Sequence, residues 1–255
     1  MIHPTALIDP AAELAEDVQV GPFTVIGPDV KIGAGTVIES HVVIKGPTTI
    51  GKNNRILQFA SVGEECQDKK YKGEPTRLEI GDDNVIRESV TIHRGTIQDN
   101  SLTKIGSRNL LMAYVHVAHD CIVGDDCIFA NNASVAGHAH VGNGVILGGM
   151  TGVHQFCKIG SYAMTSGCSL VLKDIPAYVM VSGNPAQARS MNFEGMKRRG
   201  WSKETIASLR TAYKVIYRQG LTLEQALAEL EAMDASDELQ ILIDSLKASE
   251  RGITR

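Results

Sequence analysis

The sequence has no apolar run approaching the ~20 residues that a membrane-spanning helix needs, so we expect no integral membrane segment. It has no basic excess either. The formal net charge of the 255 residues is −4, which argues against a nucleic-acid-binding protein. The opening stretch MIHPTALIDPAAEL has neither a basic n-region nor an apolar h-region, so we expect no signal peptide. Together these observations predict an ordinary soluble protein.

Cysteine is scarce, with five residues, and their number is odd. Three of them, Cys121, Cys127 and Cys157, occupy the fifth place of a six-residue repeat described below. A repeating slot is typical of small core-facing side chains in a reducing compartment and not of a metal site. The G-x-S-x-G motif of serine hydrolases is also missing. We therefore expect no covalent acyl-enzyme intermediate.

The most prominent feature of the sequence is a six-residue repeat. An aliphatic residue recurs at every sixth position from Ile2 to Val62, and a second ladder runs from Ile105 to Ile159. A strand alternates with period two and a helix with a period of about 3.6, so this pattern is neither. It is the hexapeptide signature of a parallel β-helix, in which residues about eighteen positions apart stack in successive coils.

The ladder is interrupted twice. The polar stretch EECQDKKYKGEPTR predicts a loop near residues 64–79. The thirteen-residue step from Ile92 to Ile105 shifts the phase by one and predicts a second loop near residues 97–104. Ordered loops on a repeat scaffold usually carry function. The alternative for each loop is a tolerated surface insertion.

The pattern changes again near Met191. The segment IASLRTAYKVIYRQG has apolar residues at helical spacing, and Thr222 and Gln225 have the spacing of a capping box. A helical cap would cover the last open edge of the β-helix. The predicted fold is all-β with an α-helical tail: a parallel β-helix at residues 1–190 and a C-terminal α-helical domain at residues 191–255.

Histidine is concentrated in one stretch, from Val117 to Gly160, which holds four of the eight residues. His116 lies directly before it, and the four are His119, His138, His140 and His154. The repeat predicts that His119, His138 and His154 come from three successive coils of one wall. Such a cluster has three interpretations: solvated turn residues, a zinc site of three imidazoles, or general acid–base catalysis near neutral pH.

Asp120 directly follows His119 and would orient its ring and stabilise the imidazolium. Neighbouring residues of a strand point to opposite faces, so this pairing requires a turn or a neighbouring subunit. A base that activates a hydroxyl group for direct attack fits the sequence better than a nucleophile does.

The remaining polar signal is the segment NFEGMKRRG at residues 192–200. It contains a short basic run, Lys197, Arg198 and Arg199, in an otherwise acidic protein. One interpretation is a solvated helix end. The other is a docking point for phosphate groups or an acidic partner.

These segments together resemble a known family. The ladder and the segments QDKKYKGEPTR, RESVTIHRG, AHD, NNASVAGH, GGMTGVHQF and NFEGMKRRG are similar to those of the UDP-N-acetylglucosamine O-acyltransferases of lipid A biosynthesis. The resemblance covers essentially the whole chain. It implies a left-handed parallel β-helix, a homotrimer with active sites between subunits, and a cytoplasmic location.

The resemblance also implies the reaction. A 3-hydroxyacyl chain would pass from acyl carrier protein to the 3-hydroxyl of UDP-N-acetylglucosamine, the first step of lipid A biosynthesis. The donor chain is carried on the phosphopantetheine of the carrier, so no further cofactor and no metal are implied. Acyl carrier protein is acidic, so the basic run would serve as its docking point.

By the same resemblance, His119 matches the general base, Asp120 its supporting carboxylate, and Gly137 the backbone donor that faces the developing oxyanion. The implied contacts to sugar and acyl groups are Asp68, Lys70, His116, His138, His154 and Gln155. The implied contacts to nucleotide or carrier are Asn192, Glu194, Arg198 and Arg199.

Gly167 matches the family position that ends the acyl groove, which predicts a preference for longer chains. A tight corner is the alternative role for this glycine, and Leu170 is the alternative end of the groove. One departure is Pro185, which stands where some members have a histidine proposed to contact the nucleotide, so that contact is not carried over.

Three other functions remain to be weighed. The N-acyltransferase that acts two steps later carries an extra N-terminal domain, whereas this ladder starts at Ile2. A γ-class carbonic anhydrase shares the β-helix and places three histidines on zinc, which metal analysis would detect. A structural β-helix such as an ice-binding protein has flat threonine-rich faces, in contrast to this histidine wall.

Overall fold

The computed structural model describes residues 1–255, and most of them form a parallel β-helix of three sheets. The strands are numbered β1 to β27 along the chain. Sheet 1 contains β1 (Leu7–Ile8), β4 (Val25–Ile26), β7 (Val43–Ile44), β10 (Ser61–Glu64), β13 (Thr91–His93), β16 (His116–Val117), β19 (Ser134–Val135), β22 (Gly152–Val153) and β25 (Leu170–Val171). Sheet 2 contains β2 (Glu13–Leu14), β5 (Val30–Ile32), β8 (Thr48–Ile50), β11 (Arg77–Ile80), β14 (Leu102–Ile105), β17 (Ile122–Val123), β20 (His140–Val141) and β23 (Lys158–Ile159). Sheet 3 contains β3 (Gln19–Val20), β6 (Val37–Ile38), β9 (Arg55–Ile56), β12 (Val85–Ile86), β15 (Leu110–Leu111), β18 (Ile128–Phe129), β21 (Ile146–Leu147), β24 (Met164–Thr165), β26 (Val179–Ser182) and β27 (Gln187–Met191).

The predicted ladder forms the core of this helix. Val117 of β16 pairs with Val135 of β19, which in turn pairs with Val153 of β22. The second residue of each of these strands is buried, while the first faces outward. One coil cannot cover its own apolar interior, so the stacking of coils supplies the hydrophobic core.

Tight turns connect the sheets at three corners. We call the turns from sheet 1 to sheet 2 the first corner, those from sheet 2 to sheet 3 the second corner, and those from sheet 3 to sheet 1 the third corner. Left-handed backbone recurs at these turns: at the first corner φ is 57° at Asp120, 62° at His138 and 64° at Phe156. This conformation reverses the direction in which a side chain would leave an extended strand.

Both interruptions of the ladder leave the helix at the first corner. One loop spans residues 65–76, because β10 continues to Glu64 and β11 begins at Arg77, and so it is shorter than the predicted 64–79. The other spans residues 94–101 and not the predicted 97–104, because β14 already begins at Leu102. The loops precede, by two coils and one coil, the turn that carries His119 and Asp120.

Arg94 connects the bases of the two loops. Its buried guanidinium donates from Nη1 to the carbonyl oxygens of Gly46, at 2.8 Å, and Gly63, at 2.7 Å. Its Nη2 lies 3.4 Å from the hydroxyl of Tyr71 in the longer loop. One side chain therefore joins two coils and a loop.

The tail packs on the C-terminal coils around a second apolar core. Its helices are α1 (Phe193–Arg198), α2 (Lys203–Arg218), α3 (Leu223–Glu231) and α4 (Asp237–Lys247). The capping box of Thr222 and Gln225 is confirmed at the start of α3. None of these helices combines the length and apolar character that crossing a membrane requires. The last strand, β27, is antiparallel to β26, and we propose Met191 as the domain boundary.

Candidate active site

A cleft of about 490 Å³ opens along the first corner, beside the outer face of sheet 1. Its lining contains Asp68 from the longer loop and Leu170 from β25. Six of the predicted residues meet in it: Asp68, His116, His119, Gly137, His154 and Gln155. Stacking of β16, β19 and β22 brings these side chains together, although most are far apart in the sequence.

His119 and Asp120 form a hydrogen-bonded pair within one turn. The distance from His119 Nδ1 to Asp120 Oδ2 is 2.8 Å. Strand geometry would have separated them, but the left-handed backbone of Asp120 (φ 57°) turns its carboxylate towards the ring. The imidazole keeps 17% of its surface exposed, whereas the carboxylate keeps 1%. The pairing therefore needs no neighbouring subunit.

The shorter loop closes over the carboxylate. The Thr96 N–H donates to Oδ1 and Oδ2 of Asp120, at 2.9 Å and 3.0 Å, and the Thr96 hydroxyl donates to Oδ2 at 2.6 Å. Burial alone would raise the pKa of Asp120, but the hydrogen bonds from His119 and Thr96 outweigh it and hold this pKa below its usual value. Asp120 is therefore ionised at neutral pH and able to orient the imidazole.

His138 lies beside the cleft rather than in its lining. Its ring meets that of His119 edge to face at 5.0 Å and stacks on Phe156 at 4.4 Å. Its Nδ1 is 3.1 Å from Oδ2 of Asp99 in the shorter loop. His138 thus supports the wall behind His119.

Gly137 lies directly against the imidazole of His119. A Cβ atom built on this glycine would stand 2.6 Å from both Cε1 and Nε2 of the ring. No hydrogen bond within the chain uses the Gly137 N–H. Only glycine permits this close approach, and it leaves a backbone donor beside the base.

The sequence analysis missed His93, which lines the same cleft. Its ring meets that of His116 edge to face at 5.1 Å. Burial and the neighbouring His116 lower the pKa of His93 to about 4. Burial also lowers the pKa of His116, whose Nδ1 lies 2.7 Å from the Thr91 hydroxyl. Both rings are therefore neutral at pH 7.

Other predicted residues lie outside the cleft of this chain. Lys70 is exposed on the longer loop. Gly167 belongs to the third corner, between β24 and β25. Asn192 caps α1. Glu194, Arg198 and Arg199 are exposed around this helix, and the guanidinium of Arg199 lies 5.0 Å over the ring of Tyr162, at the second corner.

Three side chains of the histidine wall are close enough together to be considered as metal ligands. The ligand atoms of His119, Asp120 and His138 lie within 4.8 Å of one another, which gives two imidazoles and one carboxylate. The expected core cysteines are confirmed: burial raises the pKa of the Cys121 thiol to about 12 and that of Cys157 to about 11. Neither thiol is suited to act as a metal ligand or nucleophile near neutral pH.

Hexapeptide coils with a histidine–carboxylate pair in an exposed cleft are the features expected of the hexapeptide-repeat transferases, and the family models assign this class. Residues 11–46 and 102–137 match the family model for bacterial transferase hexapeptide repeats. Residues 174–254 match the model for domain 2 of UDP-N-acetylglucosamine O-acyltransferase. The chain is 62% identical, over 100% of its length and 99% of the relative, to the acyl-[acyl-carrier-protein]–UDP-N-acetylglucosamine O-acyltransferase of Stutzerimonas stutzeri.

Solved structures agree with this assignment. LpxA from Acinetobacter baumannii is 63% identical and superimposes with a TM-score of 0.98, with 100% of this chain and 99% of the other covered. The Francisella novicida UDP-N-acetylglucosamine acyltransferase is 40% identical with a TM-score of 0.97. The match covers 100% of this chain and 94% of the other. The chain therefore belongs to the UDP-N-acetylglucosamine O-acyltransferase family, and its β-helix is left-handed. None of these relatives is named as a zinc enzyme or an N-acyltransferase.

Proposed function

We propose that this protein transfers a 3-hydroxyacyl chain from acyl carrier protein to the 3-hydroxyl of UDP-N-acetylglucosamine, the first step of lipid A biosynthesis. The observation that carries the proposal is the His119–Asp120 pair, which stands in a cleft of about 490 Å³ and packs against Gly137. The relatives named above supply the donor and acceptor classes.

The geometry supports direct attack. Because Nδ1 of His119 bonds to Asp120, Nε2 is the atom left to take the proton from the sugar hydroxyl. The hydroxyl oxygen forms a bond to the thioester carbonyl carbon, and the carbonyl becomes an oxyanion. When that intermediate collapses, the carbon–sulfur bond breaks and the imidazolium returns its proton to the departing thiolate. Asp120, ionised at neutral pH, stabilises the imidazolium in between.

Gly137 supplies the electrostatic part of the mechanism. Its N–H has no partner within the chain, and the residue packs against the His119 ring, so we assign this N–H to the reacting carbonyl oxygen. A hydrogen bond from a preorganised donor at this position is stronger to the oxyanion of the transition state than to the carbonyl of the ground state. Such a difference lowers the barrier and accelerates the reaction. His116, His154, Gln155 and Asp68 line the same cleft and position the two substrates.

The acyl chain would lie across sheet 1. From His119 at the first corner, the cleft passes Gly152 and reaches Leu170. Gly167 lies beyond Leu170 at the third corner, where a Cβ atom would meet nothing closer than the Gly149 carbonyl oxygen at 3.4 Å. This open path fits the assignment of Gly167 to the end of the groove. Lys70, next to the cleft on the longer loop, would approach the acyl or sugar group.

The protein is proposed to act as a homotrimer. Sheet 3 carries one outward-facing apolar side chain per coil over five coils, a row suited to burial against a second copy. These residues are Val85, Leu110, Ile128, Ile146 and Met164.

The proposed role of the basic run depends on such an arrangement. Asn192, Glu194, Arg198 and Arg199 surround α1 at the second corner, away from the His119 cleft at the first corner of the same chain. If the second corner of one subunit faces the first corner of the next, these residues reach the nucleotide or the acidic carrier bound there. The five cysteines are free, which fits a reducing compartment and the proposed cytoplasmic location.

Incubation with UDP-N-acetylglucosamine and a panel of 3-hydroxyacyl carrier proteins, read by mass spectrometry, tests the reaction. The sugar nucleotide should gain one hydroxyacyl group, and alkaline hydroxylamine should release it because the bond is an ester. A 3-amino analogue of the acceptor belongs in the same assay. An unmodified sugar, or acylation of the amino analogue alone, would overturn the proposal.

A further inference from the structure

The loop at residues 94–101 is too well connected to the histidine wall to be a tolerated insertion. It leaves β13 at the first corner, one coil before His119, and returns to β14. Two of its side chains reach forward to later coils: Thr96 to Asp120 and Asp99 to His138. These are side-chain contacts over 24 and 39 residues of sequence.

Thr96 makes most of the polar contacts of the Asp120 carboxylate. It donates three hydrogen bonds, two from its N–H and one from its hydroxyl, and is itself only 3% exposed. The fourth hydrogen bond comes from His119 Nδ1. With Thr96 on one side and the imidazole on the other, the carboxylate has one orientation in which all its short hydrogen bonds form. Rotation of that carboxylate would break the bond that orients His119.

We propose that Thr96 is a positioning residue for the catalytic base, acting through Asp120, and that Asp99 anchors the same loop on His138. The inference rests on the proposed function, since it assigns Thr96 to the step in which His119 takes a proton. Thr96 is buried and does not line the cleft. Its role is to keep Nε2 of His119 aimed at the sugar hydroxyl, and a small misalignment of a base is costly to the rate.

The test replaces the hydroxyl while keeping the size of the side chain. Thr96→Val should lower kcat about tenfold, as expected when a charge-assisted hydrogen bond that fixes a base is lost, with little change in KM for UDP-N-acetylglucosamine. Thr96→Ser keeps the hydroxyl and should restore most of kcat. Thr36→Val is the matched control: Thr36 is also buried and hydrogen-bonded, to Gly51, but in an early coil.

A spectroscopic readout separates this inference from the reaction itself. The proton shared by His119 Nδ1 and Asp120 should give a low-field NMR signal in the wild type, absent from His119→Ala. That signal should shift or broaden in Thr96→Val and persist in Thr96→Ser and Thr36→Val. Wild type without acyl transfer but with this behaviour would refute the proposed reaction and leave the positioning role standing.

The opposite result is equally clear. An active wild type in which folded Thr96→Val keeps both its kcat and its low-field signal would overturn the positioning role. So would a loss of activity in Thr36→Val as large as that in Thr96→Val, since the effect would then be one of general stability. Asp99→Ala provides the second measurement, with a smaller fall in kcat expected because His138 stands one ring behind His119.

Discussion

The first and third corners of this β-helix have the same backbone but different chemistry. Left-handed residues recur at both: Asp120, His138 and Phe156 at the first corner, and residues such as His41 and Met150 at the third. At the third corner, large side chains at these positions point into solvent, as shown by Phe23, Phe59, Tyr114 and Met150, which are 58–64% exposed. At the first corner, the corresponding turns hold a buried carboxylate and two stacked rings.

The difference arises from the two loops and not from the turns. Both loops leave at the first corner: the longer one contributes Asp68 to the cleft lining, and the shorter one donates from Thr96 to the Asp120 carboxylate. The third corner has no insertion, and the large side chains at its left-handed positions, such as Phe59 and Tyr114, remain exposed. The repeat thus provides a rigid wall at every corner, and an insertion converts one corner into a site.

The largest effect should come from a matched pair of histidines, one at each corner. His119→Ala should lower kcat roughly 10²- to 10⁴-fold, the usual contribution of a general base. His41→Ala removes the same side chain from an exposed third-corner turn and should leave kcat unchanged. Circular dichroism checks that both variants are folded. A loss below tenfold for folded His119→Ala would show that another residue is the base.

The proposed acyl groove runs across sheet 1 from the first corner to the third corner. Selection of the acyl-chain length should therefore depend on its end at the third corner. Wild type should prefer longer 3-hydroxyacyl donors, and Gly167→Met should prefer chains several carbons shorter. Each buried CH₂ is worth about 0.8 kcal/mol, so a few excluded methylenes predict a discrimination of about 10²-fold or more. The measurement is kcat/KM for long and short donors. If Gly167→Met keeps the wild-type ranking, Leu170 becomes the candidate for the end of the groove.

A third comparison uses one glycine from each corner. In Gly137→Ala the new methyl group would stand 2.6 Å from His119 Nε2, so the ring must move. A fall in kcat of roughly tenfold to a hundredfold is expected, since a displaced base loses its alignment. In Gly149→Ala the methyl would lie 3.4 Å from the Asn131 carbonyl oxygen, an ordinary contact, and kcat should hold. Equal kcat values for the two variants would show that the close contact between Gly137 and His119 is not needed for catalysis.

The sequence predicted the scaffold well because every coil repeats the same physical pattern. The ladder from Val117 to Val153 is evident from spacing alone, and the registers follow it. His93 was missed for the same reason. The loop at 94–101 inserts extra residues, so Thr91 pairs with His116 at a separation of 25 positions. A rule based on about eighteen residues cannot place His93 on the wall.

The His119–Asp120 pair shows a different limit. Period-two alternation places adjacent residues on opposite faces, and only the backbone angle of Asp120 overturns that expectation. Aspartate tolerates the left-handed region better than most residues, but strand periodicity alone does not place Asp120 there. Thr96 and Asp99 were likewise beyond reach, because a polar loop gives no periodic signal from which its contacts could be inferred.

The basic run at the second corner offers a test of moderate size. Replacing Arg198 and Arg199 with glutamine should raise KM for acyl carrier protein or for the nucleotide severalfold, and more so at low salt, where long-range attraction is less screened. Lys52→Gln, which removes one positive charge from an exposed position in an early coil, is the charge-matched control for Arg198→Gln or Arg199→Gln made singly. Unchanged KM values for both substrates across salt concentrations would leave the run as ordinary surface.

The smallest effect concerns stability and compares a buried histidine of the cleft with an exposed one of the third corner. Burial lowers the pKa of His93 from 6.5 to about 4, so between these values the unfolded chain binds the proton more readily than the folded one. Stability from this group is therefore complete above pH 6.5 and is lost as the pH falls towards 4. The loss is at most roughly 3 kcal/mol per chain. On acidification from pH 7 to pH 4.5, the Tm of His93→Gln should fall less than the Tm of the wild type. The Tm of His41→Gln, in which the replaced histidine is exposed, should fall as much as that of the wild type. Parallel Tm curves for all three proteins would mean that His93 is solvated in the folded state.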